Sequence, residues 1–254
     1  VERDLLTADL AALLDGTDVV FHLAAQPGVR MSWADGFDAY VDANVRVTQR
    51  LLEAARDGGL TRFVYASSSS VYGQITRPEV SETDPLHPFS PYGVTKLAGE
   101  HLCTAYGQNY VLPTVALRFF TVYGPRQRPD MALHRLIRSA QSGEPFPLYG
   151  TGEQIRDFTF VDDVVDANVR AATADLAPGA VFNVSGGSQT RLSELIDLVG
   201  TLTGRPVPID RRGEAKGDVT RTGGSNRRAR EVLGWEPVVG VEEGVARQIA
   251  AQSA

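Results

Sequence analysis

A phenol and an ammonium lie four residues apart in the segment Tyr92-Gly-Val-Thr-Lys96. In a helix, side chains at this spacing share a face. An isolated tyrosine stays protonated at neutral pH, but a neighbouring cation favours its phenolate. We therefore expect Lys96 to lower the pKa of Tyr92, which makes Tyr92 a candidate general base. The pair alone is weak evidence, because the same spacing occurs by chance in many helices.

Four consecutive serines, Ser67 to Ser70, stand at the end of an apolar run that predicts a buried strand over 62–69. Ligands of open α/β sheets bind at the carboxyl edge of the strands. A serine at this edge, with Ser68 as the candidate, could hold a substrate hydroxyl and relay its proton. A polar turn, in which the serines satisfy backbone groups, explains the same run equally well.

Short β-rich runs alternate with longer amphipathic segments through the first half of the chain. The predicted strands are 19–25, 62–69 and 114–120, and the predicted helices are 42–56 and 91–106. This alternation is typical of an α/β fold in which a doubly wound parallel sheet carries helices on both faces.

The helix 91–106 has a clear start signal, with Ser90 as N-cap and Pro91 at the first helical position. Its apolar residues predict one buried stripe along the helix. The stripe consists of Val94, Leu97, Ala98, Leu102 and Ala105.

Prolines interrupt shorter elements after Gly124, and a second, smaller lobe is expected to begin there. We place the domains at 1–124 and 125–254, with segments of the second returning to the first. The further predicted elements are the helices 162–175, 192–203, 226–233 and 241–250 and the strand 181–184.

The composition limits the possible partners. The 254 residues carry a formal net charge of -6, which offers no electrostatic footprint for a nucleic acid. No apolar stretch approaches the ~20 residues that span a bilayer, and no signal segment opens the chain, so no membrane partner is expected. Cys103 is the single cysteine, which excludes a cysteine-cluster metal site and fits the cytoplasm.

Taken together, the segments resemble the extended short-chain dehydrogenase/reductase family, in particular its nucleotide-sugar epimerases, decarboxylases and dehydratases. The resemblance covers nearly the whole chain and follows the family order. Its further segments are 21–26, Asn44 before Leu-Leu-Glu-Ala-Ala, 117–125, 156–163, 182–187 and 233–237. It implies a Rossmann-like dinucleotide-binding domain followed by a nucleotide-sugar-binding lobe.

The resemblance also implies a mechanism that uses NAD. Tyr92 removes the proton from the sugar 4-hydroxyl with Ser68 bridging, Lys96 holds the ribose of NAD, and a 4-keto sugar results. The cofactor-binding residues carried over from the family are Asp4, Leu5, Leu23, Ala24, Ala25, Gln26, Asn44, Tyr92, Lys96 and Phe119.

The residues beside the serines distinguish the family's reactions. Dehydratases of the family carry an Asp-Glu pair, and its uronate decarboxylases carry a Glu, where this chain has Ser70. The chain therefore lacks the general acid or base that either reaction is expected to use. A 4-epimerase remains. Arg128 and Arg135 resemble those of UDP-glucuronate 4-epimerases, and a guanidinium matches a carboxylate bidentately. These arginines could instead be surface cations or diphosphate ligands.

The remaining substrate contacts also rest on the resemblance. Diphosphate and uridine binding carry over to Thr121, Arg156 and Asp218, with Tyr149 near the base and Ser69 and Ser70 near the sugar. A salt bridge between Arg156 and Asp157 is the structural alternative. The sequence lacks the family's Gly-x-x-Gly-x-x-Gly turn, the strand before it and the acidic residue that follows for the adenosine ribose. By comparison with the family, we expect these parts to occupy roughly 55 to 60 residues before Val1.

Competing interpretations stay open at this point. A UDP-glucose 4-epimerase is the main alternative, followed by a UDP-glucuronate decarboxylase and a non-catalytic dinucleotide sensor. Family members commonly pair through the helices that include Asn44 and Tyr92, so the resemblance implies a homodimer.

Overall fold

The computed structural model describes residues 2–213 and 217–253. The strands are β1 (Val19–His22), β2 (Arg62–Ser68), β3 (Thr114–Phe119), β4 (Thr121–Tyr123), β5 (Phe146–Tyr149), β6 (Ile155–Phe160), β7 (Ala180–Val184), β8 (Ser188–Arg191) and β9 (Ile209–Arg212). The helices are α1 (Leu10–Leu14), α2 (Phe37–Tyr40), α3 (Val47–Ala55), α4 (Pro91–Tyr110), α5 (Ala132–Ser142), α6 (Val161–Thr173), α7 (Leu192–Thr203), α8 (Arg227–Leu233) and α9 (Val241–Ser253).

The main sheet has the order β1-β2-β3-β7, and all of its neighbouring strands are parallel. Helices α3 and α4 pack on one face, while α6 and α8 pack on the other. The expected α/β architecture with a parallel sheet is confirmed. Since β7 comes from the second half of the chain, that half does return to the first sheet. The domain boundary itself stays a prediction.

Most predicted elements are present with shifted ends. Strand β1 ends at His22 rather than at residue 25, and α4 continues to Tyr110. The helix predicted over 42–56 begins earlier, at Phe37, and contains a π-helical turn over Val41–Arg46 between α2 and α3.

The predicted apolar stripe of α4 is only partly buried, because Leu97 and Leu102 pack against the core while Ala105 is exposed. Val94 is 51% exposed, and the buried face carries Gly93, Lys96, Gly99, Glu100 and Cys103 instead. Small and polar residues lie inward because the helix packs closely on β2 and brings charged groups to the sheet edge. Apolar character therefore did not identify the buried face.

A second core lies beneath the C-terminal half. Helices α5, α7 and α9 pack on two small sheets, β4-β6-β8 and β5-β9. Trp235 joins this half to the main sheet, because it packs in one core cluster with Val64 and Leu117. Its indole N–H donates to the carbonyl of Asp163 on α6 at 2.9 Å. The lobe therefore holds the residues after Gly124 over the carboxyl edge of the main sheet.

One side of the main sheet is open within the described residues. Strand β1 pairs there only with β2, and Phe21 and Leu23 beside its free edge are 44% and 59% exposed. Val165 and Val169 on α6 are also more than half exposed. Among the described helices, none combines the length and the apolar character that crossing a membrane requires.

Candidate active site

A cavity of about 730 Å³ lies at the carboxyl ends of β2 and β3 and continues into the second lobe. Both halves of the chain line it, as expected for a ligand site of an open α/β sheet. The candidate chemical centre, Ser68, Tyr92 and Lys96, lines this cavity. So do all the candidate substrate contacts, which are Ser69, Ser70, Thr121, Arg128, Arg135, Tyr149, Arg156 and Asp218.

Tyr92 is placed by the first turn of α4. Ser90 caps this turn, because its hydroxyl accepts a hydrogen bond from the Gly93 N–H at 3.1 Å. A Cβ at Gly93 would lie 2.6 Å from the carbonyl oxygen of Ser70, so only glycine lets the helix start this close to the serine turn. The consequence is that Tyr92 stands beside Ser68.

Ser68 is oriented for proton relay. Its hydroxyl oxygen accepts the Ser70 N–H at 3.2 Å, which leaves its own hydrogen available for donation. Ser68 lies close enough to Tyr92 for its hydroxyl to lower the pKa of the phenol. The polar-turn interpretation is therefore correct for this oxygen, while the catalytic role of Ser68 stays a prediction.

The net pKa shift of Tyr92 is upward, and this differs from the sequence-based expectation. Burial raises the pKa, while the neighbouring hydroxyl of Ser68 and the charge of Arg128 lower it. Lys96 lies instead with its ammonium 4.6 Å from the centre of the Tyr65 ring. In this arrangement the cation that favours the Tyr92 phenolate is Arg128.

Lys96 is almost completely buried, at 3% exposure. Burial lowers its pKa to about 8, and the charge of Glu100 one turn further along opposes this shift. Gly99 allows the arrangement, because a Cβ at this position would overlap the hydroxyl of Tyr65. The Lys96 side chain lines the cavity, where its N–H donors can bind hydroxyl oxygens.

A buried ion pair supports the serine strand from behind. Arg118 on β3 donates to both carboxylate oxygens of Glu100 on α4, at 2.5 and 3.0 Å. Ser67 donates to the same carboxylate at 2.7 Å, and Arg118 also donates to the hydroxyl of Tyr72 at 2.7 Å. Since successive strand residues point to opposite faces, Ser67 binds this pair while Ser68 faces the cavity.

Asn44 acts on the loop after β1. Its side-chain oxygen accepts the Gln26 N–H at 2.7 Å, and its amide donates to the Gln26 carbonyl and to the Thr95 hydroxyl, both at 3.0 Å. Asn44 therefore ties this loop to α4 and does not line the cavity. Ala24 and Gln26 lie in the same loop and do not line it either.

The remaining cofactor candidates separate into two groups. Leu23, Ala25 and Phe119 line the cavity beside Lys96, so they fit a dinucleotide at the sheet edge. Asp4 and Leu5 lie elsewhere: Asp4 accepts the Leu6 N–H at 2.9 Å, and the Leu5 carbonyl accepts the Arg50 guanidinium at 3.2 Å. The described residues contain no group of three or more side chains placed to hold a metal ion.

One end of the cavity carries arginines on and after the loop that follows Gly124. Arg128 is paired bidentately with Asp130, at 2.9 and 2.8 Å. Arg126 has a left-handed backbone, with φ of 64°, which is uncommon for a residue with a side chain. The guanidinium of Arg135 lies 5.6 Å from the centre of the Phe146 ring.

The opposite end of the cavity carries Arg156 and Asp218. Asp157 points away from the cavity, accepting hydrogen bonds from Ser185 at 2.5 Å and from the Gly224 N–H at 3.3 Å. The alternative salt bridge between Arg156 and Asp157 is therefore wrong. Asp218 is paired with Arg30, at 2.8 Å.

Several residues of the site were missed in the sequence. Glu100 was detectable, because it lies one helical turn from Lys96 on the same face. Arg30 and Asp130 gave no signal, since each becomes a site residue only through a partner brought by the fold. Tyr65 was hidden in an apolar strand pattern that predicts burial alone.

The position of the phenol defines the class of protein. A tyrosine at the start of a helix, with a lysine one turn on and a serine at the adjacent strand end, is the centre of a short-chain dehydrogenase/reductase-type α/β enzyme. A family model described as NAD dependent epimerase/dehydratase family matches residues 1–185. The chain belongs to this family.

Curated relatives and solved structures agree with this assignment. The chain is 43% identical over 250 residues to "Uncharacterized UDP-glucose epimerase YtcB" of Bacillus subtilis, a match that covers 98% of this chain and 79% of that protein. The structure of UDP-glucuronic acid 4-epimerase from Bacillus cereus, in complex with UDP-glucuronic acid and NAD, is 41% identical, with a TM-score of 0.97 and coverage of 100% and 81%. MoeE5 in complex with UDP-glucuronic acid and NAD is 45% identical, with a TM-score of 0.97 and coverage of 100% and 85%.

Proposed function

We propose that this protein is an NAD-dependent isomerase that converts UDP-glucuronate to UDP-galacturonate by 4-epimerisation through a 4-keto intermediate. One observation carries the proposal: a single cavity holds the Tyr92–Ser68 pair, Arg128 at one end and Arg156 with Asp218 at the other. A base, a carboxylate-binding cation and a diphosphate-binding cation are the groups that this substrate requires.

The residues of the site have distinct roles in this reaction. Tyr92 takes the proton of the sugar 4-hydroxyl, and Ser68 bridges the two oxygens. Lys96, with Leu23, Ala25 and Phe119, would hold the nicotinamide end of NAD. When bound, NAD supplies a hydride acceptor that is regenerated within each turnover. Its positive charge adds to that of Arg128 in favouring the Tyr92 phenolate.

The acids of the cavity argue against elimination and decarboxylation. The carboxylates among its lining residues are Asp130 and Asp218, and each is paired with an arginine. Ser69 and Ser70 occupy the turn where the family's other reactions use acids. The described part of the cavity therefore has no free carboxylate to act as a further acid or base, which favours epimerisation.

Arg128 is the proposed carboxylate ligand. Its bidentate pairing with Asp130 demonstrates a fork accessible to a carboxylate, and its side chain is 43% exposed. A 4-keto uronate is a β-keto acid that loses carbon dioxide readily. Fixing the carboxylate at Arg128 would hold it in an orientation where that loss is slow.

UDP-glucose is the second candidate substrate. MoeE5 is solved in complex with UDP-glucose and NAD as well as with UDP-glucuronic acid. In this chain the carboxylate of Asp130 pairs with Arg128. The Arg128 charge is therefore compensated even when the bound sugar is a neutral hexose such as glucose.

Incubation with UDP-glucuronate and with UDP-glucose, with NAD added and the products identified by proton NMR, tests the proposal. We expect UDP-galacturonate to form faster than UDP-galactose. Replacement of Arg128 by Met should reverse this preference and increase carbon dioxide release, whereas the exposed control Arg138→Gln should change neither. Unchanged carbon dioxide release from Arg128→Met would contradict the role of Arg128.

We further propose that the protein is a cytoplasmic homodimer. Val94 is 51% exposed on α4, and Leu102 on the same helix is only partly buried, so this helix has apolar surface for a second copy. The free thiol of the buried Cys103 fits a reducing compartment. Val94→Glu should convert the dimer to monomer in analytical ultracentrifugation, and cell fractionation tests the location.

A further inference from the structure

Arg30 is a charged residue of the cavity to which the proposed chemistry assigns no role. It opens a short 3-10 turn, Arg30–Ser32, on the side of the cleft formed by the first half of the chain. Its guanidinium crosses the cleft, forms an ion pair with Asp218 at 2.8 Å and stacks 4.4 Å from the centre of the Tyr149 ring. Asp218 and Tyr149 both belong to the side of the cleft formed by the second half of the chain.

The segment around Arg30 is held in place from several directions. The hydroxyl of Tyr40 donates to the carbonyls of Pro27 and Gly28, at 3.0 and 2.7 Å. The buried Ser32 donates to the Val29 carbonyl at 2.6 Å. Arg30 is therefore presented from an ordered turn, which reduces the entropy lost when it binds a ligand.

The segment also packs directly on the opposite side of the cleft. A Cβ at Gly217 would lie 3.0 Å from the indole nitrogen of Trp33 and 3.2 Å from the side chain of Val29. These tight contacts and the left-handed backbone of Gly217, with φ of 82°, both favour glycine at this position. The contact brings Arg30 to the end of the cavity that holds Arg156 and Asp218.

The charges at this end do not balance. Arg30 and Arg156 are close enough for the positive charge of Arg30 to lower the pKa of Arg156, after the larger effect of burial, while Asp218 raises it. Among the described residues at this end of the cavity, two guanidiniums therefore share one carboxylate, which gives this group a net positive charge. The ion pair is also open to ligands, because the side chains of Arg30 and Asp218 are 47% and 32% exposed.

We propose that Arg30 is a substrate-binding residue that holds the diphosphate of the nucleotide sugar together with Arg156, one guanidinium from each side of the cleft. The inference rests on the proposed function only in taking a nucleoside diphosphate as the ligand. It predicts that the diphosphate, rather than the nucleoside, depends on Arg30, because charge-assisted hydrogen bonds to phosphate oxygens are the strong ones.

The test compares the affinities of UDP and uridine, measured by isothermal titration calorimetry, in the wild type and in Arg30→Gln. We expect Arg30→Gln to weaken UDP binding by about 10- to 100-fold and uridine binding by less than about threefold. Arg30→Lys should recover part of the loss, because it restores the charge without the fork. Arg138→Gln, which removes an exposed charge outside the cavity, should leave the ratio of the two affinities unchanged.

Asp218→Asn separates direct binding from an effect through the ion pair. We expect this variant to keep or raise the ratio of UDP to uridine affinity, because it removes a negative charge beside the diphosphate and frees Arg30. An equal fall of the ratio in Asp218→Asn and Arg30→Gln would overturn the proposal. An unchanged ratio in Arg30→Gln would also overturn it, as would a wild type that binds UDP no more tightly than uridine. Since binding is measured without turnover, failure of the proposed epimerisation would leave this result interpretable.

Discussion

The two ends of the cavity hold their charged groups in opposite ways. At the catalytic end, Arg118 and Glu100 are each 3% exposed and share hydrogen bonds with Ser67 and Tyr72. At the nucleotide end, the Arg30–Asp218 pair is partly exposed. The first pair is buried out of reach of a ligand, whereas the second pair is accessible to one.

The difference indicates a division of labour. Proton transfer requires a fixed geometry between the reacting oxygens, and a buried network that links α4 to β2 and β3 supplies it. Binding of a diphosphate requires accessible cations, which an exposed pair provides at low energetic cost to the fold. The predictions below test this contrast, beginning with the largest expected effect.

Removal of the phenol hydroxyl should affect the chemistry alone. We expect Tyr92→Phe to lower kcat by about 100- to 10,000-fold, because a positioned acid or base contributes that much. UDP affinity and the melting temperature should stay at wild-type values, since the ring remains in place. A kcat within threefold of the wild type would exclude Tyr92 as the base.

Breaking the buried pair should destabilise the whole domain. Arg118→Met leaves Glu100 buried without its partner, and we expect the free energy of unfolding in urea to fall by about 3–5 kcal/mol. Asp218→Asn is the matched change in the exposed pair, for which we expect less than about 1 kcal/mol. Equal losses in both variants would remove the distinction between the two ends.

Close packing behind Lys96 should make Gly99 irreplaceable. A Cβ there would overlap the Tyr65 hydroxyl, so we expect Gly99→Ala to destabilise the fold by about 1–3 kcal/mol. Gly200 in α7 is the control, because a Cβ there meets its nearest neighbour, the Arg205 carbonyl oxygen, at 3.5 Å. Gly200→Ala should instead stabilise the protein by about 0.5–1 kcal/mol.

Acid should lower the free energy of unfolding through His22, which lies on β1 of the main sheet. Burial, and to a lesser extent the charge of Lys96, lowers the pKa of His22 from 6.5 to about 4. Between these values the unfolded chain binds more protons than the native one, so stability falls as the pH falls through this range. We expect a loss of about 1 to 2 kcal/mol between pH 7 and pH 5.5.

Urea denaturation of His22→Gln measures this contribution. The variant should lack this part of the pH dependence, while His87→Gln, at an exposed position, should keep the wild-type slope. An identical slope in His22→Gln and the wild type would show that His22 does not titrate on unfolding in this range.

The sequence identified the main elements because buried parallel strands are continuous apolar runs. It did not identify the buried face of α4, where glycine, lysine and glutamate lie inward, because hydropathy assigns such residues to the surface. The short strands of the two small sheets, such as Thr121–Tyr123 and Phe146–Tyr149, were also missed, since a run of three or four residues has too little periodicity to detect.

The candidate site shows the same limit. Tyr92, Lys96 and Ser68 were found through motifs with fixed spacing, and all three line the cavity. The cation that lowers the pKa of Tyr92 is Arg128 rather than Lys96. Contacts across the cleft, such as that of Arg30 with Tyr149, arise only from the tertiary fold.

The most direct test of the central claim uses UDP-glucuronate that carries deuterium at C4 of the sugar, in ordinary water. Oxidation and reduction of that carbon within one site predicts UDP-galacturonate that keeps the label at C4, and proton and deuterium NMR can establish this. Product that has exchanged the label with solvent, or a labelled substrate that is recovered unchanged, would contradict the account.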